Sequence, residues 1–258
     1  MARIGFLGTG EIAGAMVRGL AGQGHRILVS ERNADHAAML ARTIPEVTIA
    51  ANPQVVAGSD VVIACLMAAT ARQVLPDLPW RSDHTIISVM VDVPHGDLAT
   101  LCAPATDIAL TIPMPFISSG GCPLPVFPDA ASVTALFGAR NLVLPVASEV
   151  ALNAHFAASA LSAPILRLLA EGTGWLARET GDPVAAEAYV TALFAGYMTP
   201  DGTGRHFAGL LDSLATEGGL NAALRAALED LGAPAALGAG MDTLRPRLGL
   251  PPATGAAS

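Results

Sequence analysis

Three groups of residues in this chain have the types and spacing to do chemistry. Gly8-Thr9-Gly10-Glu11-Ile12-Ala13 forms a G-x-G-x-x-A loop directly after the apolar run Ile4 to Leu7. Gly8 permits a tight turn, Gly10 lets backbone approach a pyrophosphate, and Ala13 lets the following helix pack close to the strand. The helix start then presents unpaired N–H groups and a partial positive charge to phosphate. Glu31 and Arg32 stand at the end of the second strand. A carboxylate there, ~20 residues past the glycines, can take the 2′-OH of an NAD ribose. A guanidinium can instead pair with the 2′-phosphate of NADP and stack on adenine. Finally, Glu217-Gly218-Gly219-Leu220-Asn221 places two glycines before an apolar helix. Such a start exposes N–H groups that suit a carboxylate.

These groups need elements to position them. The first half alternates strand and helix signals: strands at 3–7, 26–30, 47–50, 60–66, 85–91 and 107–111, with helices at 11–22, 34–43 and 53–58. Alternation of this kind predicts a Rossmann-type, doubly wound parallel sheet in an α/β domain. From Ile112 to Pro128 five prolines and the run Ser118-Ser119-Gly120-Gly121 read as a rigid, irregular loop beyond the sheet. A helix at 130–137 and an edge strand at 141–145 follow. After about residue 150 the strand signals disappear, and 149–171, 175–180, 183–197 and 221–231 carry helical periods. Gly181-Asp182-Pro183 marks a helix stop and a helix start. The expected organisation is a dinucleotide-binding domain at 1–148, an all-α substrate and dimerisation domain at 149–250, and a flexible tail at 251–258.

Composition narrows the class. Hydrophobic residues make up 52% of the 258 and charged residues 14%, which fits a globular chain with large buried surfaces and argues against disorder. The longest apolar run, Val61 to Ala71, falls short of the ~20 residues that cross a bilayer. A net charge of −8 gives no electrostatic reason to expect nucleic acid or an anionic membrane. Cys65, Cys102 and Cys122 lack metal-type spacing and read as reduced thiols of a cytoplasmic protein, with Cys65 in the core and no metal site. Met1-Ala2-Arg3 leads straight into a strand, so no leader is expected. The first helix of the second half is too apolar to face water on all sides, which predicts self-association through the C-terminal helices.

The chain resembles the pyrroline-5-carboxylate reductase family over nearly its whole length. Ile4 to Ala13 is similar to the family's IGFIGxGxMA opening. Ser30-Glu31-Arg32-Asn33 stands where the family holds the NADP 2′-phosphate, and Asn52 matches an asparagine that contacts the cofactor. Leu66-Met67-Ala68 lies in the turn where the family has AVKP. Ile87-Ser88 and Val93 are similar to ISIAAGV. In the second half, Leu161-Ser162-Ala163-Pro164 stands where the family has SGSGPAY. Leu211-Asp212-Ser213 and Thr216 to Asn221 stand at its KDxV–SPGGTT signature. The resemblance implies a dimeric reductase that uses NADP, with NAD as the alternative, to reduce the C=N bond of a cyclic imine. It also implies that Gly218, Gly219, Leu220 and Ser162 bind the substrate, its carboxylate on a helix start contributed across the dimer. Asn221, Glu217 and Ser213 are then the groups beside the reacting bond. Asp92, where the family has glycine, would lie close to the nicotinamide.

Alternatives stay open at this stage. The nicotinamide carries the reducing equivalent, and the protein aligns and polarises the acceptor. Glu217 reads as a helix N-terminal carboxylate that offsets the dipole, or as a proton donor to an imine. Asp92 reads as a turn carboxylate or N-cap, or as a site residue. His155, inside an apolar helix, reads as a core or interface residue. His25 and His36 read as surface residues, while His95 and His206 remain open. A divergent paralogue acting on another imine or carbonyl, a non-catalytic dinucleotide sensor, and a reductase with a deazaflavin donor are the competing functions.

Overall fold

The computed structural model describes residues 1–199 and 205–253. Short apolar segments separated by helices form β1 (Arg3–Leu7), β2 (Arg26–Ser30), β3 (Val47–Ala50), β4 (Val61–Ala64), β5 (Thr85–Ser88) and β6 (Asp107–Thr111). They run parallel in the order β3-β2-β1-β4-β5-β6. Alternate side chains point to opposite faces. Thus Ile4, Phe6, Ile27, Val29 and Ile63 pack on one side of the sheet with α1 (Glu11–Leu20) and α2 (Ala34–Thr43). Leu7, Leu28, Val62 and Ile86 pack on the other with α3 (Asn52–Ala57), α4 (Ala68–Val74) and α5 (His95–Leu101). Both faces are covered, which is why these strands read as continuous apolar runs.

The proline-rich segment departs from the sequence expectation. Pro123–Phe127 forms β7, antiparallel to β6, and β8 (Leu142–Pro145) lies parallel to β7 at the sheet edge. Backbone geometry explains how a strand tolerates Pro123 and Pro125. Val126 O accepts Val146 N–H at 2.9 Å and Cys122 O accepts Leu142 N–H at 3.0 Å, so even-numbered residues face β8. The missing N–H groups of both prolines therefore face the β6 side, where the ladder pairs only Leu110 and Thr111 with Phe127 and Val126. No donor is lost from a ladder. After β7 come α6 (Ala131–Phe137) and α7 (Glu149–Ser159).

The chain divides into two compact units, residues 1–156 with 246–251, and residues 157–245. Segment 246–251 is held on the first unit by Asn153, whose Nδ2 donates to Leu248 O at 3.0 Å. The second unit is all helical: α8 (Ser162–Thr180), α9 (Pro183–Tyr197), α10 (His206–Ser213), α11 (Leu220–Asp230) and α12 (Ala233–Asp242). The expected continuous helix 149–171 is broken at residues 160 and 161, with Ala160 N and Leu161 N closing onto the carbonyls three residues back. Pro164 is the cause. It lacks the N–H an interior position needs but is tolerated in a first turn, so a new helix must start just before it. That helix runs on through 175–180. Gly181 closes it at φ +71, and Asp182 caps α9 by accepting Ala185 N–H at 2.9 Å. The tail residues 254–258 lie outside the described residues.

Candidate functional site

In an open sheet the strand order reverses where a ligand crevice opens, at the carboxyl ends of the strands flanking the reversal. Here that point lies between β1 and β4. Gly8 makes the turn out of β1 at φ +91, and a Cβ on it would lie 2.5 Å from the Cys65 carbonyl oxygen. Gly10 is the N-cap of α1, whose start has no side-chain cap. A Cβ on Gly10 would meet nothing within 4 Å. The N–H groups of Glu11, Ile12 and Ala13 belong to the first helical turn, which has no intrahelical acceptors. An open glycine before an uncapped ten-residue helix is the geometry a pyrophosphate needs.

Hydrogen bonds tie this loop to the end of β2. Buried Ser30 accepts Gly8 N–H on its Oγ at 2.8 Å. Thr9, also buried, donates from Oγ1 to the carbonyl oxygens of Ser30 and Arg32. Its side chain therefore serves the loop rather than a ligand. Asn33, in the left-handed region at φ +67, donates from Nδ2 to Thr9 O at 3.2 Å. His36 Nδ1 lies 2.7 Å from the same oxygen. This corrects the reading of His36 as a surface residue, because it is half buried against the glycine loop. Its spacing of three from Asn33, on the first turn of α2, was the available signal. Glu31 and Arg32 are exposed just beyond β2.

The other residues expected on this wall lie at neighbouring strand ends. Asn52 opens α3 after β3, half buried. Leu66, Met67 and Ala68 follow β4, with Met67 exposed as the N-cap of α4. Strand β4 ends at Ala64, so Cys65 stands in the turn, half buried as a residue but packed against the core cluster. Burial of its thiol pushes the pKa up to about 12, which makes it inert as a nucleophile. Asp92 stands exposed in the turn after β5, as the turn-carboxylate reading expects, and it is paired there. Its Oδ2 accepts from Arg247 at 3.2 Å and its carbonyl accepts from Arg72 at 3.1 Å. That ion pair ties segment 246–251 to the β5 loop.

The second group belongs to the helical unit. Gly218 turns the chain at φ +73 and Gly219 is the N-cap of α11, again without a side-chain cap. Leu220 and Asn221 open that helix, exposed, and Glu217 is exposed just before it. Ser213 ends α10 with Oγ donating to Leu210 O at 2.8 Å. That leaves its lone pairs free to accept. Ser162 is the exposed first residue of α8. His155 is exposed rather than core, its Nδ1 2.8 Å from Ala151 O. Among the described residues no group of His, Cys, Asp and Glu side chains could hold a metal ion. No described helix is long and apolar enough to cross a membrane.

Comparison with known proteins bears on this arrangement. Residues 3–92 match the profile of a family described as NADP oxidoreductase, coenzyme F420-dependent. No curated protein matches the sequence. A 1-pyrroline-5-carboxylate reductase from Streptococcus pyogenes is similar in structure with TM-score 0.78 at 20% identity, over 96% of this chain and 99% of that one. A pyrroline carboxylate reductase from Plasmodium falciparum with NADP bound gives TM-score 0.80 at 13% identity, over 96% and 97%. A reductive aminase from Aspergillus terreus in complex with NADPH is more distant, with TM-score 0.58 at 23% identity, over 84% and 78%. The chain has the fold of these reductases.

Proposed function

We propose that this chain is an NAD(P)H-dependent oxidoreductase that reduces the C=N bond of a cyclic imine, with 1-pyrroline-5-carboxylate, converted to proline, as substrate. One observation carries the reading. The open Gly10 and uncapped start of α1 lie at the switch point of a sheet, in a chain whose fold matches that of named pyrroline-5-carboxylate reductases over 96% of its length. When bound, NADPH supplies the hydride.

The residues of this chain hold and polarise. The first-turn N–H groups of α1 take the pyrophosphate. Arg32 takes the 2′-phosphate of NADP, and Glu31 would take the ribose hydroxyl of NAD. Asn52 and Leu66-Met67-Ala68 line the rest of the cofactor. The Gly218–Gly219 start of α11 takes the substrate carboxylate on its N–H groups, with Leu220 and Ser162 beside it. Because its proton is committed to Leu210 O, Ser213 acts as an acceptor toward a protonated imine N–H. Asn221 adds a donor and an acceptor, and Glu217 a carboxylate that stabilises an iminium.

Exposed Glu217 next to the α11 start favours a second reading, an enzyme for an uncharged imine, since that carboxylate repels an anionic substrate. We assign residues 1–148 to cofactor binding and 149–250 to substrate binding and self-association, in a cytoplasmic homodimer. The test follows NADPH and NADH binding by fluorescence, then their oxidation with 1-pyrroline-5-carboxylate and with uncharged 1-pyrroline. Turnover of the carboxylate supports the first reading, and turnover of 1-pyrroline alone supports the second. Binding without turnover of either would identify a sensor instead.

A further inference from the structure

One contact beside the glycine loop has no part in the proposed reaction. His36 Nδ1 lies 2.7 Å from the carbonyl oxygen of Thr9. A carbonyl only accepts, so Nδ1 carries the proton and donates it. Asn33 Nδ2 donates to the same oxygen at 3.2 Å, and Thr9 Oγ1 is spent on the Ser30 and Arg32 carbonyls. The imidazole has a fixed seat against α1, where a Cβ added to Gly14 would come within 3.1 Å of His36 Cε1. Residue 9 is therefore gripped on its side chain and on its carbonyl.

The consequence follows from peptide geometry. The Thr9–Gly10 bond is trans and planar, so its C=O and N–H point in opposite directions. With the Thr9 carbonyl drawn toward α2, the Gly10 N–H turns away from α2. With the peptide flipped, the carbonyl would present negative charge where a phosphate approaches the α1 start. We infer that His36 is a positioning residue for the dinucleotide: by donating to the Thr9 carbonyl it holds the Thr9–Gly10 peptide with N–H, rather than C=O, toward the pyrophosphate. This rests on the dinucleotide-binding reading above.

Three variants and three ligands test it. His36→Leu removes the donor, His36→Asn restores one at the position of Nδ1, and His36→Gln places its amide at the position of Nε2. In His36→Leu the Kd for NADPH and for ADP rises by about tenfold, the scale of one lost hydrogen bond. The KM for NADPH rises in step while kcat stays within about twofold. Affinity for 2′-AMP, which has no pyrophosphate, is unchanged. His36→Asn recovers most of the loss. Should His36→Leu fail to fold, His36→Gln takes its place with the same expected losses. Unchanged NADPH and ADP affinity would overturn the inference alone, as would an equal loss for 2′-AMP, which would mark general damage to the β2 loop. A wild-type chain that bound neither NADPH nor ADP would overturn the inference together with the reading beneath it.

Discussion

At the scale of single residues, the two glycines of the loop make opposite predictions. Gly8 sits at φ +91 with a neighbouring carbonyl oxygen 2.5 Å from where a Cβ would go. Gly8→Ala therefore destabilises the apo protein by about 2 kcal/mol or more, through the left-handed backbone and the overlap together. Gly10 has an ordinary φ of −78 and open space around it. Gly10→Ala should leave apo stability within about 0.5 kcal/mol yet weaken NADPH by about tenfold or more, because the new methyl occupies the approach of the phosphate. Thermal unfolding and fluorescence titration of the two variants read these effects separately, and a large loss of apo stability in Gly10→Ala would refute the assignment. His84 makes a pH prediction. It is fully buried, and its Nδ1 accepts Arg81 N–H at 3.0 Å, so the neutral Nε2–H form is the one that fits. Burial pushes its pKa below the ordinary histidine value, with Arg81 adding to the effect. The folded state therefore binds this proton less readily than the unfolded chain. The stability it contributes is present above pH ~6.5 and lost as pH falls below that value, by up to ~1.4 kcal/mol per unit. His84→Asn keeps an acceptor for Arg81 but not the titration. Urea unfolding at about pH 7.5 and about 5.5 should show a larger drop for wild type than for the variant.

At the scale of elements, apolar runs made β1 to β6 and their order of occurrence legible, because strands covered on both faces must be apolar throughout. Gly181-Asp182-Pro183 was legible for another reason: each residue has one strong backbone preference, and all three agree. What misled was proline. In β7 two prolines read as loop, and only the sheet shows that their missing N–H groups face the β6 side, where the ladder stops at Val126 and Phe127. In the stretch from 149 onward the helical period ran unbroken through Pro164, while the chain had to restart at Ser162. The turns of the candidate site were legible where a positive φ calls for glycine, as at Gly8 and Gly218. The site was not legible where side chains meet across sequence distance, as in the His36–Thr9 and Asp92–Arg247 contacts. That β7 is a structural strand has a measurable consequence. Leu124 is fully buried at its centre, so Leu124→Ala should cost about 2–5 kcal/mol by denaturant unfolding. A solvated loop would lose under about 0.5 kcal/mol.

At the scale of the molecule, the two units differ in how much apolar surface they bury. The first packs a full layer on each face of its sheet. In the second, α8, α10, α11 and α12 bury no residue and α9 buries only Ala186. Helix α9 is apolar nearly all round, and such a helix is stable in water only when it is covered. Val184, Tyr189, Leu193 and Phe194 are exposed along it. The same unit contains an apolar groove of about 990 Å³ lined by Pro164, Ile165, Leu168, Leu211, Leu228 and Leu237. Exposed apolar area on this scale marks an interface, and a second copy of the chain supplies matching surface by symmetry. The proposed homodimer should therefore appear in light scattering at twice 26.1 kDa. Its unfolding midpoint should rise with protein concentration, since association stabilises the folded state by mass action. Placing a charge on the exposed apolar face of α9, as in Phe194→Asp, should shift the protein to monomer and abolish that concentration dependence, whereas Glu31→Gln, on the exposed edge of the first unit, should change neither. A wild-type chain that stays monomeric at tens of micromolar, with a midpoint indifferent to concentration, would show that these helices are covered by something other than a second copy.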